Sequence, residues 1–435
     1  MKIEIAEVHI YKNKLVFGLN YSKKIRKYIL KNSFFFEYDP SIDLSNVDES
    51  ILTIPIVSMI TPIAWAIGAD VLINKIDRTY LHSLTKIEEV FKNFYPKFSF
   101  SNKIHVKNAV PNKFDGQRTG LLFSGGLDSV TSYIRHKDKI PDLIPVWGAD
   151  IALNEKLFWE KAKAGLLSFA NIDGVSVLPV KTNVREINEQ LLKVEFTYSW
   201  WGIVSHGLLL LSLCAPITAI RKIGTIIIAS SHTKEFKSPW GSHPLIDNNV
   251  SWANLEAIHD GYDMSRQDKL MYLSKGYSKY LSYLRACHSS ALNYNCGLCE
   301  KCSRTIIGLT VARIDPKISG YCNMERRTFH RIKECLIKGR FNMGENETWM
   351  WMDIQKHIHE KFDNDKYNSK KYLKWLKQFD LSTYKINKLQ YFLWTTYIFL
   401  KNRNIKNPVK LLMHHVYITF GQKLRIFKFW YTAPN

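Results

Sequence analysis

The stretch Gly120-Leu121-Leu122-Phe123-Ser124-Gly125-Gly126-Leu127-Asp128-Ser129 constrains the fold of this chain more than any other. An apolar run suited to a strand stops abruptly at small residues. Val130-Thr131-Ser132-Tyr133-Ile134-Arg135 then continues with helix-like spacing. Strand, glycine loop and helix in that order aim backbone N–H groups and the positive end of a helix dipole at one point, where an anion such as phosphate is held. Gly125 and Gly126 let the backbone turn and approach closely. Ser124 and Ser129 add hydroxyl donors, and Asp128 can help hold magnesium. No Gly-Lys-Ser/Thr follows, so this is not a Walker loop. The plainer alternative is a Gly-Gly turn with an Asp helix cap.

The surroundings of the loop predict an α/β domain. Short apolar runs at 121–123, 143–147, 175–180 and 225–229 read as strands, and 157–169 and 202–221 read as helices. Such alternation gives a parallel sheet covered by helices on both faces. Ligands of these sheets sit at the carboxyl ends of strands, where Ser124 and Asp150 fall. Residues 1–115 read as a mixed strand-and-helix extension, with helical spacing over 81–94. Residues 111–117 form a linker, 116–315 the central domain, and 316–435 a basic, mostly helical region.

A second cluster reads Cys287-x8-Cys296-x2-Cys299-x2-Cys302. Four thiolates at such spacing suit a closed tetrahedral zinc site. Gly297 permits the tight knuckle, and Arg285, Lys301 and Arg304 could offset the negative charge of the centre. A ferredoxin run would place its fourth Cys at position 306, which is Ile. A disulfide pair suits a secreted chain, and no signal peptide is visible at the N-terminus. Unrelated buried thiols are the remaining alternative.

The two motifs together resemble the 7-cyano-7-deazaguanine synthase (QueC) family of PP-loop ATP pyrophosphatases. The resemblance covers about residues 117–315. Within it, Asn295-Cys296-Gly297-Leu298-Cys299-Glu300-Lys301-Cys302-Ser303-Arg304-Thr305 and Gly241-Ser242-His243-Pro244-Leu245-Ile246-Asp247 are similar to the QatC-like branch found in bacterial anti-phage operons. The resemblance implies the HUP-like, adenine nucleotide alpha hydrolase fold. It also implies ATP, Mg2+ and Zn2+ as cofactors, and a ligase that adenylates a 7-deazaguanine acid with release of pyrophosphate. An amine then attacks to give an amide or nitrile. On this reading Ser124, Gly125, Gly126, Leu127, Asp128, Ser129 and Asp150 bind the nucleotide, with Asp128 and Ser129 catalytic. Cys287, Cys296, Cys299 and Cys302 hold zinc. The implied partners are the deazapurine acid and proteins of the same defence operon.

The chain departs from that family in the acceptor half. Trp147-Gly148-Ala149-Asp150-Ile151-Ala152 stands where the family has Gly-Gln-Arg-His, and Tyr198-Ser199-Trp200-Trp201-Gly202 through Ser205-His206-Gly207 replaces Pro-Gly-Arg-Asn. An amine other than ammonia, such as one on a partner protein, is therefore expected. His206, His232, His243, Asp247, Arg266 and Lys269 are the candidate substrate residues. Arg266 and Lys269 are suited to carboxylate or phosphate, and Asp247 to a purine amide edge. The alternative for each is a satisfied core group or a solvated helix face. Leu211-Ser212-Leu213-Cys214-Ala215 reads as the setting of a buried inert thiol.

Composition sets outer bounds. An apolar content of 46% and a charged content of 23% suit a globular protein, and 435 residues support two or three domains. The apolar stretch 51–73 is interrupted by Pro55, Ser58, Pro62 and Asp70, which predicts a buried helix pair or helix plus strand rather than a membrane span. Cysteine usage suits a reducing cytoplasm. Net charge is +22, of which residues 331–435 carry 20 Lys/Arg less 8 Asp/Glu, or +12. Aromatics interleave with the cations in Lys371-Tyr372-Leu373-Lys374-Trp375-Leu376-Lys377 and Phe427-Lys428-Phe429-Trp430-Tyr431. Such a mix can bind nucleic acid, or be a lysine-rich solvated face over a small aromatic core. Two rival functions follow: a PP-loop enzyme that modifies tRNA or another nucleic acid, and a non-catalytic nucleotide-binding adaptor of a defence complex.

Overall fold

A computed structural model of the chain describes residues 1–189, 191–192, 199–287, 294–322, 324–359 and 369–402. Tyr198 and the aromatic–basic segment 427–431 lie outside the described residues. Two compact units are formed, Met1–Arg285 and Ala286–Asn435.

The first unit is mixed α/β with two sheets. β6 (Arg118–Leu122), β7 (Asp142–Ile144), β10 (Ile223–Ala229) and β11 (Glu256–Asp260) form a fully parallel sheet in the order β11-β10-β6-β7. The other sheet has the order β5-β4-β1-β2-β3-β9-β8. Its members are β1 (Lys2–Ile10), β2 (Lys14–Tyr21), β3 (Ser33–Tyr38), β4 (Asp70–Asp77), β5 (Ile104–Val110), β8 (Val146–Trp147) and β9 (Val180–Thr182). Segments 1–115 and 116–285 therefore share one unit, and β3 pairs with β9 across them.

The apolar run 143–147 is not one strand. Pro145 divides it, because proline has no N–H for a ladder and restricts the residue before it. Ile144 ends β7 in the parallel sheet, and Val146 starts β8 in the other. Strand pairing in 175–180 is limited to a bridge from Val177 to Leu143 and to Val180, where β9 begins. The run 202–221 is broken into a π-turn, Trp201–Ser205, and the helices His206–Leu213 and Ala215–Arg221, the last opening on Pro216 at its second position.

The apolar stretch 51–73 becomes two helices, Glu49–Leu52 and Ile54–Ile67, followed by β4. Gly68, at φ +65°, ends the second helix in the left-handed conformation that glycine tolerates. Every residue from Ile54 to Trp65 is buried, which fits a helix apolar on all sides. Among the described residues, one helical run, Trp201–Arg221, is long and apolar enough to cross a membrane, and 78% of its most apolar window is buried in the protein.

In the second unit, the helix Glu300–Val311 follows the cysteine knuckle. The helix Ser369–Gln378 buries Tyr372, Leu373 and Leu376 and exposes Lys371, Lys374 and Lys377. The aromatic–basic interleaving of that segment thus sorts onto opposite helix faces.

Candidate active site and metal centre

The glycine loop lies between the carboxyl end of β6 and the helix Leu127–Arg135, here called the loop helix. Phe123 donates to Ile144 O (3.0 Å), which keeps the strand in the sheet up to the turn. Gly125 then adopts φ +72°, in the region that favours glycine. Three bonds within the loop tighten it. Gly126 N donates to Ser124 Oγ at 3.2 Å, Ser129 Oγ donates to Gly126 O at 3.1 Å, and the two serine hydroxyls lie 3.4 Å apart. Arg285 clamps it from outside, with its backbone N on Gly125 O (2.8 Å) and its Nε on Ser124 O (3.2 Å).

Asp128, in the first turn of the loop helix, meets two of the cations singled out in the sequence. Arg266 Nη1 lies 2.5 Å from Oδ2, and Lys269 Nζ lies 3.0 Å from Oδ1. Lys269, whose side chain is only 1% exposed, also donates to Ser230 O just past the end of β10. A serine cap at Ser265, in a reciprocal capping box with Asp268, starts the helix Arg266–Ser274 that carries both cations. Arg266, Lys269 and Arg285 thus collect positive charge beside the helix N-terminus that the loop precedes, with Asp128 as a carboxylate among them.

Asp260, at the end of β11, fixes the back of the loop helix. It accepts from Ser132 Oγ at 2.6 Å and Arg135 Nε at 3.1 Å, and His136 Nε2 lies 3.1 Å away. Burial works against its charge, but His136, Ser132 and Arg135 hold the carboxyl below the usual aspartate range.

Asp247 Oδ2 lies 2.7 Å from His259 Nδ1 and accepts from Ser242 Oγ at 2.6 Å. His206 follows the π-turn. Burial lowers its pKa, against the opposing charges of Asp150 and Asp247. Asp150, exposed after β8, accepts from Trp201 Nε1 at 3.2 Å. His232 is buried with its ring 4.8 Å from that of Trp240. His243 caps the helix Pro244–Asp247, and burial lowers its pKa too, with a smaller effect from His259. Cys214 is fully buried, and desolvation pushes its thiol far up, as suits an inert cysteine.

His259, Asp260, Ser230 and the clamping role of Arg285 were not legible in the sequence. Glu256-Ala257-Ile258-His259-Asp260 is a polar, five-residue edge strand with little apolar signal. The Ser230-Ser231-His232 turn, right after β10, is the nearest thing to a cue.

In the second unit, Cys287, Cys296, Cys299 and Cys302 place their sulfurs all within 4.8 Å of one another and can hold a metal ion. Cys296 and Cys302 sulfurs are 3.7 Å apart. Tetrahedral zinc with bonds of about 2.3 Å requires sulfurs about 3.8 Å apart, so the donor set fits zinc. Gly297, at φ +66°, makes the knuckle, and the N–H groups of Leu298 and Cys299 both point at Cys296 Sγ at 3.4 Å. Asn295 Oδ1 accepts from the N–H groups of Ala286 (2.8 Å) and Cys287 (3.1 Å), tying the first ligand to the knuckle. Arg304 forms an ion pair with Glu300 at 2.7 Å. Arg331, from the helix Arg326–Ile337, reaches Gly297 O at 2.7 Å.

Comparison of the chain with family models, with curated proteins and with solved structures finds no match.

Proposed function

We propose that the chain is a QueC-like, ATP-dependent ligase that adenylates a carboxylate, a 7-deazaguanine acid by resemblance, and passes the acyl group to an amine. The observation that carries this reading is the trio Arg266, Lys269 and Arg285 around the Ser124–Ser129 turn. A polyphosphate needs both directional N–H donors and fixed positive charge, and this arrangement offers both.

In the first half-reaction the substrate carboxylate attacks the α-phosphorus of ATP. Pyrophosphate departs into the turn, where the N–H groups of Gly125 and Ser129 receive it, joined by that of Gly126 as it gives up Ser124 Oγ. Arg266 and Lys269 exchange part of their pairing with Asp128 for the leaving group. Asp128 and the hydroxyls of Ser124 and Ser129 would hold magnesium, which supplies charge neutralisation at the phosphates. Asp150, Trp201, His206, His232 and Asp247 would surround the acid and the incoming amine. Zinc on the four cysteines has a structural role in this scheme. The bacterial defence setting and an operon-encoded protein as amine donor belong to the same proposal.

The test supplies ATP, Mg2+, 7-carboxy-7-deazaguanine and ammonium, a small stand-in for the partner amine, to the full chain. AMP and pyrophosphate are expected in equal amounts, dependent on the acid. Asp128→Ala should lower AMP release by about 100-fold or more. Formation of ADP, or no acid-dependent turnover, refutes the reading. Mass spectrometry of co-expressed partners then reports whether a protein amine is the acceptor.

A further inference from the structure

Alternation along β11 sends Asp260 and His259 to opposite faces of the sheet. Asp260 holds the loop helix, whereas His259 turns to the helix Pro244–Asp247. The His259 and Asp247 side chains are both 0% exposed, and Nδ1 and Oδ2 are 2.7 Å apart. That carboxylate oxygen also accepts from Ser242. With that carboxylate facing Nδ1, Nε2 is the ring nitrogen left to meet another group. The mount of the ring is rigid, because His259 N donates to Asn248 Oδ1 at 2.7 Å.

Among the described residues, His259 Nε2 is buried without a hydrogen-bond partner, and so are Asp247 Oδ1 and His206 Nδ1. Each such atom costs about 1–3 kcal/mol in a core, so three in one neighbourhood are poorly explained by packing alone. Gly207 marks how close they lie, since a Cβ there would come within 2.0 Å of Asp247 Oδ1. The π-turn Trp201–Ser205, just before His206, adds a backbone distortion of a kind frequent at functional sites. The other titratable groups around the ring are His243 at the cap of the facing helix, His206, and Tyr262 in the turn after β11.

We propose that His259 is the general base of the second half-reaction, with Asp247 as its positioning residue; this rests on the ligase reading above. The amine lone pair forms the C–N bond at the acyl carbon of the adenylate. The acyl C–O bond breaks, and its electron pair leaves with AMP. The surplus proton on nitrogen passes to His259 Nε2. Ser242 and Asp247 keep the ring in the tautomer that can take it.

The experiment compares two nucleophiles in the full chain with ATP, Mg2+ and 7-carboxy-7-deazaguanine. Ammonium needs a proton removed in the transfer step, whereas hydroxylamine attacks adenylates with little help from a base. His259→Asn is expected to lose about 100-fold of ammonium-dependent AMP release and to keep hydroxylamine-dependent release within about threefold. Asp247→Asn, of nearly unchanged volume, should show the same split in weaker form and a shifted pH profile for ammonium alone. Equal loss with both nucleophiles in both variants, or no loss, overturns the base role and leaves the ligase reading intact. A wild-type chain that releases AMP with neither nucleophile overturns the ligase reading and the base role together.

Discussion

Lys269 shows what a residue's neighbours add to its identity. Its sequence position marks it as a cation suited to carboxylate or phosphate, or else to a solvated helix face. In the fold it is buried, with Nζ shared between Asp128 and Ser230 O. Lys269→Met would take one cation away from Asp128, whose side chain is 14% exposed. Removing one partner of such a buried pair costs about 3 kcal/mol, which the shift of the urea midpoint at constant slope should report. Asp260 gives a pH prediction. Its native pKa lies below the unfolded value, so its stabilisation is present above about pH 4 and disappears as pH falls through the lower native value. Asp260→Asn should be less stable than wild type at neutral pH and lose less on acidification. Parallel acid-unfolding curves for the two proteins would contradict the assignment.

At the scale of elements, the helix His206–Leu213 illustrates a conflict between propensity and packing. Gly207 lies inside it, and alanine is the better helix former by about 1 kcal/mol. Yet a Cβ at 207 would come within 2.0 Å of Asp247 Oδ1 and 2.7 Å of Gly241 O. Gly207→Ala is therefore expected to destabilise the protein by about 2 kcal/mol, measured as a lower melting temperature. A stabilised variant would show that the carboxylate is free to move. Strand elements were unevenly legible. β10 is rich in isoleucine and β6 ends in the apolar run that opens the loop, so both announce themselves. β11 is short, polar and at a sheet edge, so its pairing with β10 rather than its composition makes it a strand. Pro145 marks the division of 143–147, although the apolar run reads as a single strand. That its two halves join different sheets was not legible, because sheet membership depends on the distant β6 and β9.

The whole molecule carries its two sequence motifs in separate compact units. Metal removal tests the second by itself. The purified chain should contain one zinc per molecule by elemental analysis, and Cys299→Ser should lower that content. Because structural zinc contributes about 10 kcal/mol or more in small sites, chelation should unfold the region around the cysteines and lower the melting temperature. Unchanged melting after complete chelation would remove zinc as a structural element.

The loop and the cysteine knuckle could be read directly because their geometry is set over a few residues. Glycine at a left-handed turn and cysteine at a fixed spacing impose the same local shape in most surroundings. What surrounds them was decided by tertiary structure. Asp128 meets Lys269 from 141 positions away, and Ser132 meets Asp260 from 128. Even Asp247 and His259, 12 apart, meet only because a short helix folds back on an edge strand. Side-chain chemistry is a property of the residue, but its charge partner and its access to water follow from which strands lie side by side. That choice is made by burial summed over the whole unit, and no window of sequence contains it.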